Sequence, residues 1–219
     1  AYQIEGGFNE DGKGLSVWDV FCEKPNVVKN GDSGRVACDH YRRYREDVRL
    51  LKEMGAKSYR FSVSWPRVLP NGTGEINPAG IKFYNDLIDE LIANGIEPML
   101  TLFHWDYPQA LEDRGGWLNP DSPKWFAEYA RVIAENFGDR VKLFATFNEP
   151  QVFMGSGYYY GSFAPGKKLS LPEFTRACFN VLLAHGAAVK QLRSSVPDCR
   201  VGYVTATVFY APEDEDDAG

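Results

Sequence analysis

Apolar residues along the chain fall into four short blocks separated by longer amphipathic stretches. The blocks at 57–64, 97–103, 141–147 and 201–208 are rich in apolar, β-branched and aromatic residues and sharply bounded, the pattern of strands buried on both faces. Between the blocks the apolar spacing changes to three and four. A helix is predicted from about His40 to Met54, with Asp39 as N-cap, an apolar stripe at Tyr41, Tyr44, Val48 and Leu51, and Gly55 as its stop. A second runs from Asn77-Pro78 to Gly95 on Ile81, Tyr84, Ile88 and Leu91; Pro78 suits the first helical position because no amide proton is used there. Ser122-Pro123 opens a third helix that ends at Gly138. A fourth begins at Ser170-Leu171-Pro172-Glu173, where Ser and Glu have the spacing to satisfy each other's free amides, and reaches about Ser194.

Strand and helix therefore alternate, which implies parallel strands joined by crossover helices in an α/β fold, either an open doubly wound sheet or a (β/α)8 barrel. The connections favour the barrel. Segments after the strands (65–77, 104–122 and 148–169) are long and aromatic and those before them are short, as expected when one rim carries the site. An open sheet would place a nucleotide loop before a helix; the nearest lookalike, Gly155-x-Gly157-x-x-x-Gly161, is filled by three tyrosines and leads into Ala164-Pro165-Gly166, so it reads as a plain loop. Residues 1–219 are expected to form one partial barrel domain, roughly the first half of a (β/α)8 TIM barrel.

Charge narrows the partners. Thirty acidic against 24 basic side chains give a net charge of −6, the wrong sign for binding nucleic acid or an anionic membrane. No apolar run is long enough to span a bilayer. Cys22, Cys38, Cys178 and Cys199 lack the close spacing of a zinc site, so no metal or other cofactor is expected, and free thiols suit a cytoplasmic location. The first seven residues, Ala1-Tyr2-Gln3-Ile4-Glu5-Gly6-Gly7, hold no initiator Met and no leader pattern, so the sequence reads as cut at its start.

Unusual polar and aromatic residues cluster where the strands end: Arg60 with Ser64-Trp65-Pro66-Arg67, His104-Trp105-Asp106, and Asn148-Glu149-Pro150. A carboxyl group at the end of an apolar strand is costly to bury ionised, so burial would raise the pKa of Glu149 and suit it to general acid work. A structural Glu paired with an Arg is the alternative, but catalytic groups in barrels come from the C-terminal ends of strands. His104 by itself reads equally as a hydrogen-bonded structural residue. Trp65 and Trp105 suit either rim packing or a stacking surface for a sugar ring.

These motifs together resemble glycoside hydrolase family 1, the β-glucosidase-like retaining enzymes. Thr146-Phe147-Asn148-Glu149-Pro150 resembles the family's acid/base motif and Ala1-Tyr2-Gln3-Ile4-Glu5-Gly6 the end of its N-terminal signature. The segment from Tyr59 to Arg67, Phe103-His104-Trp105-Asp106, and Gly157-Tyr158 through Ala164-Pro165-Gly166 resemble further family segments, so the likeness covers almost the whole chain. It implies that Glu149 is the general acid/base, that Asn148 hydrogen-bonds the sugar 2-hydroxyl, that Gln3 and His104 bind sugar with Trp105 beside them, and that Arg60 holds the nucleophilic carboxylate ionised. The implied substrate is a β-glycoside or oligosaccharide, and Pro150 with Ser64-Trp65-Pro66 is similar to the enzymes for unphosphorylated sugars.

One departure is large: the family nucleophile is a Glu in a Glu-Asn-Gly-like segment beyond the fourth strand, and no such segment occurs here. Glu5 and Asp106, the other acidic residues inside the motifs, match family positions that are not the nucleophile. The chain is thus expected to be the first half of a β-glucosidase-type enzyme, cut at both ends and inactive without the second half of the barrel. A short protein that binds carbohydrate without hydrolysing it is the alternative; retention of Glu149 and Arg60, which a pure binder does not need, speaks against it. The acidic run at 213–217 reads as a solvated loop.

Overall fold

Four parallel strands, β1 (Ser58–Ser62), β2 (Glu97–Phe103), β3 (Leu143–Asn148) and β4 (Arg200–Val204), pair in the order β1-β2-β3-β4. A computed structural model describes residues 1–207; Val208 and the acidic run at 213–217 lie outside the described residues. Sequential order without a reversal is the topology of a barrel wall, whereas a doubly wound sheet has a switch point. The register separates the two faces of the wall. Arg60, Met99, Leu143 and Arg200 form one row across the sheet and Phe61, Leu100 and Phe144 the next. The second row is buried under helices, while Arg60 and Arg200 are exposed and Met99 and Leu143 half-buried.

In chain order the helices are α1 (Val17–Phe21), α2 (His40–Glu53), α3 (Trp65–Val68), α4 (Pro78–Ala93), α5 (Gln109–Glu112), α6 (Ser122–Phe137), α7 (Pro150–Phe153) and α8 (Leu171–Ser195). The four long ones fall where the apolar spacing places them, with Pro78 and Pro123 in the first turns of α4 and α6. At α8 the Glu173 carboxylate accepts from both the Ser170 N–H (3.0 Å) and the Ser170 hydroxyl (2.6 Å). At α2 the expectation fails in detail. Asp39 occupies the N-cap position in a left-handed conformation and its side chain caps nothing. The free amides of His40 and Tyr41 are instead taken by the carbonyls of Ile4 (3.1 Å) and Glu5 (2.8 Å), so the N-terminal turn itself caps the helix.

Aromatic rings fill the space between sheet and helices. Phe126 of α6 stacks on Phe147 of β3 with ring centroids 4.5 Å apart, and the Tyr129 hydroxyl donates to the Leu102 carbonyl at 2.9 Å, which pins α6 over the end of β2. The glycine-rich segment expected to be a plain loop is a π-helical turn, Met154–Tyr159. Its tyrosines tie it to neighbours: the Tyr158 hydroxyl donates to Glu112 Oε2 of α5 at 2.7 Å, and Tyr159 packs on Phe174 of α8. Among the described residues no helix is long and apolar enough to cross a membrane, and all four cysteines are free thiols.

Candidate active site

From the middle of β1 the Arg60 side chain reaches the polar residues at the ends of β2 and β3. Arg60 Nη2 donates to Asn148 Oδ1 at 3.0 Å, and Asn148 Nδ2 lies 3.1 Å from His104 Nε2. These two contacts fix each other's chemistry. A guanidinium only donates, so the oxygen of the Asn148 amide faces Arg60 and its NH2 group faces His104. His104 Nε2 must then accept, which leaves the ring neutral with its proton on Nδ1. Burial pushes the His104 pKa down to about 4, and the Arg60 charge acts in the same direction. A chain of hydrogen bonds thus runs across three strands and orients one buried amide, Asn148, at the site's centre.

Trp105, two residues past the end of β2, and Glu149, the residue after β3, both have positive φ, +76° and +47°. For non-glycine residues this is an unfavourable conformation that persists only where surroundings enforce it. Here the enforcing contacts are visible. Trp105 Nε1 donates to the Asn148 carbonyl at 2.8 Å, and the Glu149 N–H donates to the Val204 carbonyl of β4 at 2.7 Å. The strained turn ends β3 and starts α7. Glu149 is half-buried, so the deep burial expected from its position at an apolar strand end is only partial among the described residues.

Gln3 sits exposed on the N-terminal turn, where the N–H groups of Ile4 and Glu5 both donate to the Ala1 carbonyl at 3.1 Å. Its side chain has no hydrogen bond to Arg60, His104 or Asn148 among the described residues; Ala1 and Tyr2 of the same turn line a small cavity with Ser64 and Asp106 at the rim. Trp65 is fully buried, stacked on Tyr129 at 4.7 Å and an interplanar angle of 6°, so of the two readings open for it the packing one holds. Trp105 remains half-buried at the rim against Phe163.

Both other carboxyl groups inside the motifs are buried. Glu5 is buried and accepts from Arg67 Nε and from the Tyr84 hydroxyl, both at 2.6 Å. Burial alone would raise its pKa; the Arg67 charge, the N-terminal ammonium and the Tyr84 hydroxyl together outweigh that and hold it below the ordinary carboxylate value. Asp106 is buried with Oδ1 unpartnered among the described residues, and burial pushes its pKa up to about 6. No group of three His, Cys, Asp or Glu side chains suited to a metal ion occurs among the described residues. The strained backbone at Trp105 and Glu149 and the contribution of Tyr84, which lies in a helical stripe like any core tyrosine, left no mark in the sequence.

A family model described as glycosyl hydrolase family 1 matches residues 1–218. The chain is 50% identical over 215 residues to β-glucosidase A of Thermotoga maritima, covering 98% of this chain and 48% of that protein. It is 49% identical over 215 residues to a 1,4-β-D-glucan glucohydrolase of Thermotoga neapolitana, covering 98% of this chain and 50% of the relative. The structure superposes on a β-glucosidase from Thermotoga maritima in complex with glucoimidazole with a TM-score of 0.96 at 49% identity, over 99% of this chain and 49% of that one. The chain spans about half the length of the curated relatives it matches.

Proposed function

The chain belongs to glycosyl hydrolase family 1, and from that premise we propose that the protein carrying it hydrolyses terminal β-glycosidic bonds of unphosphorylated sugars, with β-glucosides as the main class, by a retaining double displacement. The observation that carries the reading is the hydrogen-bonded chain Arg60–Asn148–His104 next to Glu149 on a strained strand end. Glu149 protonates the departing glycosidic oxygen and, after the leaving group has gone, takes a proton from the incoming water.

Asn148 meets the sugar 2-hydroxyl. Its amide is oriented before substrate arrives, and a hydrogen bond that strengthens as oxocarbenium character develops lowers the barrier selectively. His104 and Gln3 bind the sugar hydroxyls, with Trp105 beside them as an apolar wall. Arg60 keeps the nucleophilic carboxylate ionised. That nucleophile comes from outside these 219 residues, since Glu5 and Asp106 are both buried and Glu5 is committed to its own ion pair.

Stereochemistry tests the reading. NMR of the full-length protein acting on an aryl β-glucoside is expected to show β-glucose as the first-formed sugar, with α-glucose arising later by mutarotation. Initial release of α-glucose, or no hydrolysis of β-glucosides, rejects it.

A further inference from the structure

Two acidic residues lie inside the sequence motifs without a part in the chemistry, and the structure assigns one of them, Glu5, a place. We propose that Glu5, Arg67 and Tyr84 form a positioning unit that fixes the turn bearing Gln3 at the rim; the proposal rests on the reading of Gln3 as a sugar-binding residue. Three separate elements converge on this unit. Arg67 comes from α3 immediately after β1, Tyr84 from α4, and Glu5 from the N-terminal turn two residues beyond Gln3.

The unit is built from directed bonds. The Glu5 carboxylate accepts Arg67 Nε on one oxygen and the Tyr84 hydroxyl on the other, each at 2.6 Å. Arg67 Nη2 donates to the carbonyls of Gly6 (3.1 Å) and Gly7 (3.0 Å), and its guanidinium lies 4.0 Å from the centre of the Tyr41 ring. The Tyr84 hydroxyl in turn accepts the Ser64 N–H at 2.7 Å, which ties the same unit to the backbone at the end of β1. Gly6 lets the turn approach this closely: a Cβ there would stand 2.3 Å from the Val36 carbonyl oxygen. All three side chains are essentially removed from solvent.

Stability alone is a poor reason for such an arrangement. A buried ion pair loses about as much solvation as it gains in attraction, and well-packed apolar residues of the same volume often replace one without loss. What apolar packing does not supply is a fixed direction. Bonds from one carboxylate to a guanidinium and a phenol, and from that guanidinium to two successive carbonyls, set the height and rotation of the turn against the rim. Gln3, itself exposed and without a hydrogen bond to the rim cluster among the described residues, depends on that backbone for its place. A misplacement of about 1 Å in a substrate-positioning group is enough to lower rate by up to about 100-fold.

The test is a double-mutant cycle in the full-length enzyme, with Glu5→Gln and Tyr84→Phe each combined with Gln3→Ala, read as kcat/KM on an aryl β-glucoside and as Tm. Each single variant is expected to lose about 10-fold or more in kcat/KM at temperatures where it is fully folded. In the Gln3→Ala background that loss is expected to vanish, because the group being positioned is gone. Tyr84→Phe keeps both the ion pair and the ring packing, so the cycle can be read even where Glu5→Gln does not fold. If Gln3→Ala is defective and the losses from Glu5→Gln or Tyr84→Phe persist in full on top of it, or if both single variants keep wild-type kcat/KM, the positioning role is overturned. Wild-type kcat/KM in Gln3→Ala would reject the sugar-binding reading of Gln3, and the proposal with it.

Discussion

His104 accepts a hydrogen bond on Nε2 because Asn148 has turned its only oxygen to Arg60, and this makes the protonation state of the ring a test of the whole cluster. A folded pKa near 4 lies below the ordinary imidazole value of 6.5, so as pH falls the unfolded chain takes up the proton first. The stability that neutral His104 contributes is therefore complete above about pH 6.5 and is lost between there and about pH 4. In the full-length protein the His104 ring, followed by NMR, is expected to stay neutral at pH 5.5; a midpoint near 6.5 would contradict a buried, neutral His104 beside Arg60. Much at this scale was legible. His104 and Asn148 stand at strand ends where polar residues interrupt apolar blocks; Arg60, expected with them, lies in the middle of β1 and joins them through its long side chain. Gln3 and Glu5 were placed by resemblance alone, because a turn packed by long-range contacts leaves no local periodicity to read.

At the level of elements, the short apolar blocks and the three-and-four spacing between them anticipated every long helix and all four strands, and the differences lie at their ends. The strand predicted for 141–147 is observed as Leu143–Asn148: its last residue is polar and so falls outside an apolar block, yet Asn148 stays in register with Val204 of β4 across a bulge. Asp39 has the residue type of a cap, but carbonyls 36 residues away in sequence satisfy the α2 amides instead. Residue type alone leaves Trp65 open to rim packing or sugar stacking; it packs from α3 against Phe126 and Tyr129 of α6, with its indole N–H donating to the Gly72 carbonyl at 2.8 Å. Trp65→Ala is expected to destabilise the full-length protein by about 3–5 kcal/mol. Chemical denaturation measures this directly, and a loss below about 1 kcal/mol together with a large fall in kcat/KM would return Trp65 to the site.

At the scale of the molecule, β1 and β4 are the two edges of the wall among the described residues, and no second layer of them covers the row from Arg60 to Arg200. On the outer side, an apolar groove of about 590 Å³ lined by Met154, Cys178, Leu182, His185 and Tyr203 runs between α8 and β4, and Leu171, Phe179, Leu182 and Tyr203 are exposed. Parallel strands are stable when paired and covered on both sides, so the isolated 219-residue chain is expected to associate or bind hydrophobic dye, and to leave an aryl β-glucoside intact. Light scattering and an assay beside the full-length protein check this; a monodisperse, active monomer would place a nucleophile within these residues. The central claim is that Glu149 is the acid/base of a retaining pair. Its most direct measurement is the Glu149→Ala variant of the full-length enzyme, assayed on glucosides of differing leaving group with and without azide. The account predicts a loss of about 100-fold or more on poor leaving groups, retained glycosylation by activated aryl glucosides, and azide-accelerated turnover that yields a β-glucosyl azide. Equal losses on all leaving groups with no azide effect, or an α-configured azide product, would contradict it.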